Sequence, residues 1–556
     1  MSLFLLGTFF LMFSGQDRTL CNTSRMSLAF PSKAAPDENK LRGGYYTPAR
    51  IAAFTAEWVL RAGPRTLEPS SGDGAILKYL AEKSRPTAIE IDSAEAAKAS
   101  AITGVNVINA DFFDWVSPSE TGQYDGVAGN PPYIRFGNWK SDAREKAMSF
   151  MKNAGLHPTR LTNAWVPFVV ASVLLLRPGG RMGLVLPAEL LQVGYAKELR
   201  HFLEQNCSEL NIVSFRTLVF PGVQQEIVLL LAVRGDDLPW IRAVELESPE
   251  ELADLKLSEI ERAHPLTSDE KWTQHYLPTN QIETLRDLEL DPRMMSIGDF
   301  ADVNVGVVTG RNSFFCMTDE KARRLNLYEH TIPLVSRSNF LRSVTFGTSE
   351  LELAIQRGGN TRLLSLPPDF PIDTNESVKS YIMLGESEGV HQGYKCRIRK
   401  SWWSVPSVHI PDGFMLRQIS KRLAISGNHA NATSTDTVHR VFLKRNVSMD
   451  KLAVAAFNSF SFCSSELQGR SYGGGVLEIE PKEALRIRIP DPKLVSDALV
   501  KEVDRLLRDG QEQQASDLVD EELLVKQVGI SASTLKEVKS AHERLLTRRL
   551  TRGGKR

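Results

Sequence analysis

The sequence predicts an α/β protein, with an open and mostly parallel sheet in its first half, a mixed α+β second half and a helical end. Short apolar runs alternate with helix-like stretches between residues 66 and 129, the rhythm of strand, helix, strand. Successive runs end in a carboxylate (Glu68, Glu90, Asp111), and the next ends in Gly129-Asn130-Pro131-Pro132-Tyr133. At 556 residues the chain exceeds a single core, so two or three domains are expected.

Tyr46-Thr47-Pro48 opens the first helix, with Thr47 as the expected N-cap and Pro48 in the first turn; Gly63-Pro64 ends it. Thr66-Leu67-Glu68 then reads as a strand. Pro69-Ser70-Ser71-Gly72-Asp73-Gly74 is a small-residue loop, and a helix follows whose positive N-terminus faces it. The loop is not G-x-G-x-x-G and no lysine follows, so a dinucleotide fingerprint and a phosphate-binding P-loop are both excluded. Acidic Glu68 would repel a phosphate but suit a cationic amino group. Glu90 ends the second strand, where a Rossmann-like sheet holds ribose hydroxyls. Asp111 ends the third, placed to accept from an adenine amino group while Phe112 packs on the ring. Any one of these acids alone reads as a solvated loop charge.

The paired prolines after Asn130 stop the ladder and stiffen the strand's C-terminal edge, where open α/β sheets place ligands. Two acceptors, the Asn130 side-chain oxygen and the Pro131 carbonyl, suit the hydrogens of an amino group whose lone pair is delocalised. Pinning those hydrogens favours a pyramidal nitrogen aimed at an electrophilic methyl, with Tyr133 stacking on the substrate's flat face. Taken by themselves the four residues read equally well as a Pro-Pro surface turn. Residues 134–160 read as a loop over the site, 163–176 as an apolar helix, 182–186 as a strand, 189–206 as a helix and 212–215 as a strand. Phe220-Pro221-Gly222 precedes an apolar run, 227–233, expected to close the sheet as its last strand. Phe220 is either a core residue or lies over the cleft opposite Tyr133.

Motif order and wording resemble the gamma-class, site-specific DNA adenine-N6 methyltransferases of bacterial restriction–modification systems. The resemblance rests on Tyr46-Thr47-Pro48, Leu67-Glu68-Pro69, Gly72-Asp73-Gly74, Glu90-Ile91-Asp92, Asp111-Phe112 and Asn130-Pro131-Pro132-Tyr133. It covers residues 41–235 strongly and 290–490 more loosely. It implies a Rossmann-like S-adenosylmethionine-dependent domain followed by a target-recognition domain. Thr47, Glu68, Glu90, Ile91, Asp111 and Phe112 match the cofactor contacts, with the Pro69, Ser70, Ser71 and Gly72 backbone around the methionine end. Asn130 and Pro131 match the acceptors for the adenine amino group, Tyr133 the stacking aromatic and Phe220 the second aromatic. The domains expected are a disordered leader or over-called start (1–40), a catalytic domain (41–240), an acidic helix–loop connection (241–290), a recognition domain (291–490) and a helical end with a basic tail (491–556).

Net charge is zero, but residues 241–291 carry 13 Asp/Glu against 5 Lys/Arg, and residues 391–445 carry 10 Lys/Arg against 2 Asp/Glu. The basic field suits an anionic partner, which the resemblance implies is double-stranded DNA. Within it, Lys395, Arg397 and Arg399 share one face if the segment is extended, and Lys400, Arg440 and the Arg470 loop add to it. A strand with a solvated charged face and core tryptophans is the competing reading. Five scattered cysteines and the histidine spacing give neither a disulfide framework nor a metal site, which favours a reducing cytoplasm. The apolar run near residues 3–13 has no preceding cation and is too short to span a bilayer, so no membrane association is expected. A monomer is expected, with a cognate restriction endonuclease as a separate candidate partner. Alternatives are an RNA adenine or protein glutamine methyltransferase, a fused nuclease, or a non-enzymatic DNA-binding subunit.

Overall fold

A computed structural model describes residues 46–220, 226–264, 271–472 and 475–551. The expected leader, Pro221-Gly222, Gly473-Gly474 of the expected loop and the extreme basic tail lie outside the described residues.

The first half is built on an eight-stranded sheet in the order β3-β2-β1-β4-β5-β7-β6-β8. Its strands are β1 (Thr66–Glu68), β2 (Thr87–Glu90), β3 (Ile108–Asn109), β4 (Tyr124–Gly129), β5 (Leu176–Pro187), β6 (Cys207–Phe215), β7 (Ile227–Arg234) and β8 (Trp240–Leu246). Strands β3, β2, β1, β4 and β5 are mutually parallel, and β7 runs antiparallel between β5 and β6. This is the open Rossmann-like α/β sheet expected. Its strands are nearly continuous apolar runs because helices cover both faces. One face is packed by Trp165–Leu175, buried almost throughout. The other carries α1 (Ala49–Leu60), whose approach is close enough that a Cβ at Gly126 would stand 2.9 Å from Val59 Cβ, and one at Gly183 2.9 Å from Thr55 Cγ2. The two glycines thus set the depth of α1, and Trp58 Nε1 ties it to the Met182 carbonyl at 3.0 Å.

Several expectations are corrected. The sheet does not end at β7, because residues 240–246, read as part of a solvated connection, form β8 parallel to β6. Residues 134–160 contain the helix Ser141–Asn153, held by burial of Ala147 and Met151, rather than an unstructured loop. Thr47 does not cap α1 with its side chain.

The second half is mixed α+β. A five-stranded sheet runs Ala301–Asn304, Val438–Leu443, Gly413–Leu416, Ile425–Asn428, Thr345–Phe346. A four-stranded sheet runs Cys316–Thr318, Asn360–Leu364, Thr331–Val335, Thr433–Ser434. The helix Asp497–Arg508 buries Leu499, Val503, Leu506 and Leu507, one apolar face at helical spacing within the helical end expected. The final helix, Ala532–Thr551, packs along Ser459–Gln468. Among the described residues no helix is long and apolar enough to cross a membrane.

Candidate functional site

Parallel pairing brings the ends of β1, β2 and β4 to one edge of the sheet: Glu68 is in register with Ala88, and Glu90 with Asn109. The loop after β1 and the tetrad therefore meet. Ser70 Oγ donates to the Asn130 carbonyl at 3.3 Å, and Pro69 packs where a Cβ on Gly129 would stand 3.4 Å from its Cδ. Asn130 Nδ2 donates to Thr47 Oγ1 at 3.2 Å. This explains why Thr47 leaves the helix cap: its hydroxyl faces the tetrad and orients the Asn130 carboxamide. Tyr133 donates through its hydroxyl to the Val185 carbonyl at 3.0 Å, fixing the ring between the two core clusters that flank β5.

The loop after β1 turns on itself, with Gly74 N–H donating to the Ser71 carbonyl at 2.9 Å and both Gly72 and Gly74 at positive φ. Glu90 accepts from Gly72 N–H at 2.8 Å and from Asp92 N–H at 2.9 Å, so it braces the loop. A Cβ on Gly72 would meet nothing within 4 Å, so the loop backbone borders open space. Glu68 is 2 % exposed, and its Oε2 has no hydrogen-bond partner among the described residues. Burial first, then the carboxylates of Glu90 and Asp73, push its pKa well above the ordinary range. Burial also raises Glu90, against the lowering by its two backbone donors. A buried acid with no cation beside it among the described residues, next to an open backbone cradle, could hold a cationic amino group. Ile91, at the tip of β2, is 64 % exposed despite being apolar, which suits one face of a flat ring.

Other expected residues are placed differently. Phe112 is buried, its ring stacked on Phe168 at 5.2 Å, so it belongs to the core rather than to an open cleft. Asp111 accepts from Phe113 N–H at 2.8 Å, capping the turn after β3. Phe220 is buried in the cluster on the α1 face, the core alternative of its two readings. The basic segment is not extended: Tyr394–Arg397 is a helical turn, which ends the one-face alternation of Lys395, Arg397 and Arg399. Lys395, Arg397 and Lys400 are exposed, beside exposed Tyr394 and Ile398. Arg399 instead donates to the Thr309 carbonyl at 2.7 Å and the Val308 carbonyl at 3.1 Å. Arg440 is buried and donates to the carbonyls of Val305 and Ser407. Arg470 is paired with Glu483 at 2.8 Å on a strand, Arg470–Tyr472, where a flexible loop is expected.

One residue near the tetrad escapes the sequence reading. Asn163 is 8 % exposed, and its Oδ1 has no hydrogen-bond partner among the described residues. Its neighbour Ala164 donates to the Ile134 carbonyl at 2.9 Å, next to the tetrad. A lone amide at the start of an apolar run is the signal that could have found it.

Residues 73–220 match the family model described as Eco57I restriction-modification methylase, and residues 269–524 the model described as the C-terminal domain of Type II methyltransferase M.Eco57I. The Type II methyltransferase M.AccI of Acinetobacter calcoaceticus is 22% identical over 471 residues, covering 79% of this chain and 83% of that one. M.HindII of Haemophilus influenzae is 24% identical over 362 residues, covering 61% and 67%. The structure of the Type IIL restriction-modification enzyme MmeI in complex with DNA aligns with a TM-score of 0.51 at 12% identity, over 91% of this chain and 72% of that one, a likeness of fold. The two matched regions support a restriction–modification methyltransferase.

Proposed function

We propose that this chain is a site-specific DNA methyltransferase that transfers a methyl group from S-adenosylmethionine to the N6 amino group of an adenine turned out of duplex DNA. The observation that carries the reading is the junction of Thr47, Ser70 and Asn130: one hydrogen-bonded corner joins the loop beside buried Glu68, which has no cation beside it among the described residues, to the Asn130-Pro131 acceptors.

Glu68 would hold the methionine amino group, the loop from Pro69 to Gly72 its backbone, and Glu90 and Asp111 the ribose and adenine edges, with Ile91 against the ring. When bound, S-adenosylmethionine supplies a methyl carbon made electrophilic by its sulfonium. This chain's own residues do the rest. Asn130 Nδ2 donates to Thr47 Oγ1, which directs the acceptor oxygen of the carboxamide to the substrate amine. With the Pro131 carbonyl it draws the amino hydrogens out of the ring plane and frees the lone pair. Tyr133, held by its hydroxyl on β5, stacks on the base. Phe220, packed in the core in this state, would have to turn out to form the other side of a sandwich.

Lys395, Arg397 and Lys400 are the cations proposed to track the phosphate backbone, with Tyr394 and Ile398 exposed among them. Arg399 and Arg470 are left out, because their charges are directed inward. Adenine marks in one short motif, mapped by single-molecule sequencing after expression in a methylation-free host, are the expected result. Marks on cytosine, or none on DNA, would sink the reading.

A further inference from the structure

The hairpin of Arg470–Tyr472 and Val476–Glu478 is gripped from several parts of the chain at once. Lys271, from the segment linking the two halves, donates to the Gly469 carbonyl at 2.9 Å and pairs with Glu483 at 3.1 Å, alongside Arg470. Arg549, on the last helix, donates to the Gly475 carbonyl. The catalytic half contributes Gln192. Its Nε2 donates to the Ser471 carbonyl at 2.8 Å and its Oε1 accepts from Ser471 N–H at 2.8 Å. A carboxamide has the donor and acceptor of a peptide group, so Gln192 meets Ser471 as a neighbouring strand would.

The pairing is buried and braced. Gln192 is 7 % exposed. Arg200, itself 2 % exposed, donates to the carbonyls of Leu190 (2.9 Å) and Val193 (3.2 Å), fixing the loop on both sides of Gln192. That loop continues directly from β5, the strand whose Val185 carbonyl holds Tyr133. A continuous path of bonded groups therefore runs from the tetrad to the hairpin of the second half.

We propose that Gln192 is a positioning residue: its paired bonds to Ser471 set the second half in register with the methyl-transfer corner, so that DNA held by one half presents its base to the other. The inference rests on the methyltransferase reading. Removing the carboxamide leaves the cofactor loop and the exposed cations untouched, so each half should still bind its own ligand. What is lost is their alignment in the transition state, which appears in kcat rather than in either binding constant.

The test uses the full chain, with Gln192→Ala and Gln192→Glu. For Gln192→Ala, S-adenosylmethionine and duplex dissociation constants within about threefold of the unaltered protein are expected, with kcat on the mapped site lowered about tenfold or more. Gln192→Glu keeps an acceptor for Ser471 N–H and should recover part of that loss. Amide exchange in residues 188–196 and 470–472 should rise together in Gln192→Ala. Unchanged kcat with unchanged exchange overturns the proposal, as does a loss explained by a matching fall in either binding constant or in Tm. An unaltered protein that methylates no duplex sinks the methyltransferase reading instead; exchange then decides the joint alone.

Discussion

The edge of the first sheet that carries Glu68 and the interior of the second half treat buried charge in opposite ways. At the sheet edge, Glu68 is buried with no cation beside it among the described residues, and the charged groups acting on it, Glu90 and Asp73, are acids that raise its pKa further. In the second half, Arg549 is as deeply buried yet grips Glu466 through two nitrogens, at 2.6 and 2.9 Å, and Arg362 meets Asp319 at 2.9 Å. Arg548 pairs with Glu245 on β8, tying the last helix to the first sheet. A charge left without its opposite marks a place prepared for something that arrives; a charge matched on all sides marks structure. Arg548 and Arg549, cations of the basic end, fall in the second category.

That contrast breaks most visibly at Arg549. Arg549→Met strands Glu466 in the core, a loss of about 3–5 kcal/mol of stability. Chemical denaturation measures it, and a change under about 1 kcal/mol, the scale of an exposed pair, would mean the pair is effectively solvated. Asn130→Ala has the opposite profile. On the proposed function it removes an acceptor for the substrate amine, so methyl transfer should fall about 10²–10³-fold, by analogy with loss of one preorganised hydrogen-bonding group. Folding and S-adenosylmethionine binding should stay near normal. Retained turnover in a radiolabel transfer assay would take Asn130 out of the chemistry.

The difference between the two regions also separates what was legible in the sequence from what was not. The sheet edge could be read because its logic is local: each strand end and its acid are contiguous, and parallel pairing of β1, β2 and β4 gathers them without further information. The direction of a cation is not local. Arg399 and Arg440 sit in a stretch rich in positive charge, but their guanidinium groups satisfy backbone carbonyls left by irregular loops at Val308, Thr309, Val305 and Ser407. Composition counts such charges and cannot aim them. Phe112 shows the same limit, since a ring beside a strand-end acid can turn to the cleft or to the core, and Phe168 decides for the core. The Gln192–Ser471 pairing joins residues 279 positions apart and has no sequence signal at all.

Glu68 sharpens the comparison through pH. A carboxylate whose folded pKa is raised keeps its proton longer in the folded chain than in the unfolded one. Stability from this group is therefore greatest below its ordinary value of 4.5, falls as pH rises toward the raised folded value, and stays reduced above it. Glu68→Gln should thus raise the Tm of the ligand-free protein at neutral pH. The same change should weaken S-adenosylmethionine binding about tenfold or more, the scale of one hydrogen bond between charged groups. In the unaltered protein, affinity should fall as pH drops through the raised pKa, and in Glu68→Gln that dependence should flatten. A cofactor affinity indifferent to Glu68→Gln would return the acid to structure.

The smallest effect belongs to the exposed cations. If Lys395, Arg397 and Lys400 face phosphates, they behave unlike either buried set, because each exchanges counterions rather than protein partners. Replacing any one with Ala should lower duplex affinity only severalfold at a given salt, and by a similar factor on cognate and unrelated duplexes. It should also reduce the slope of log K against log salt by about 0.9 for each phosphate no longer neutralised. Arg399→Ala is the internal control, since its guanidinium is held by Thr309 and Val308; it should cost stability and leave the salt slope alone. A slope that responds to Arg399 but not to its exposed neighbours would mean that the segment turns over when DNA binds.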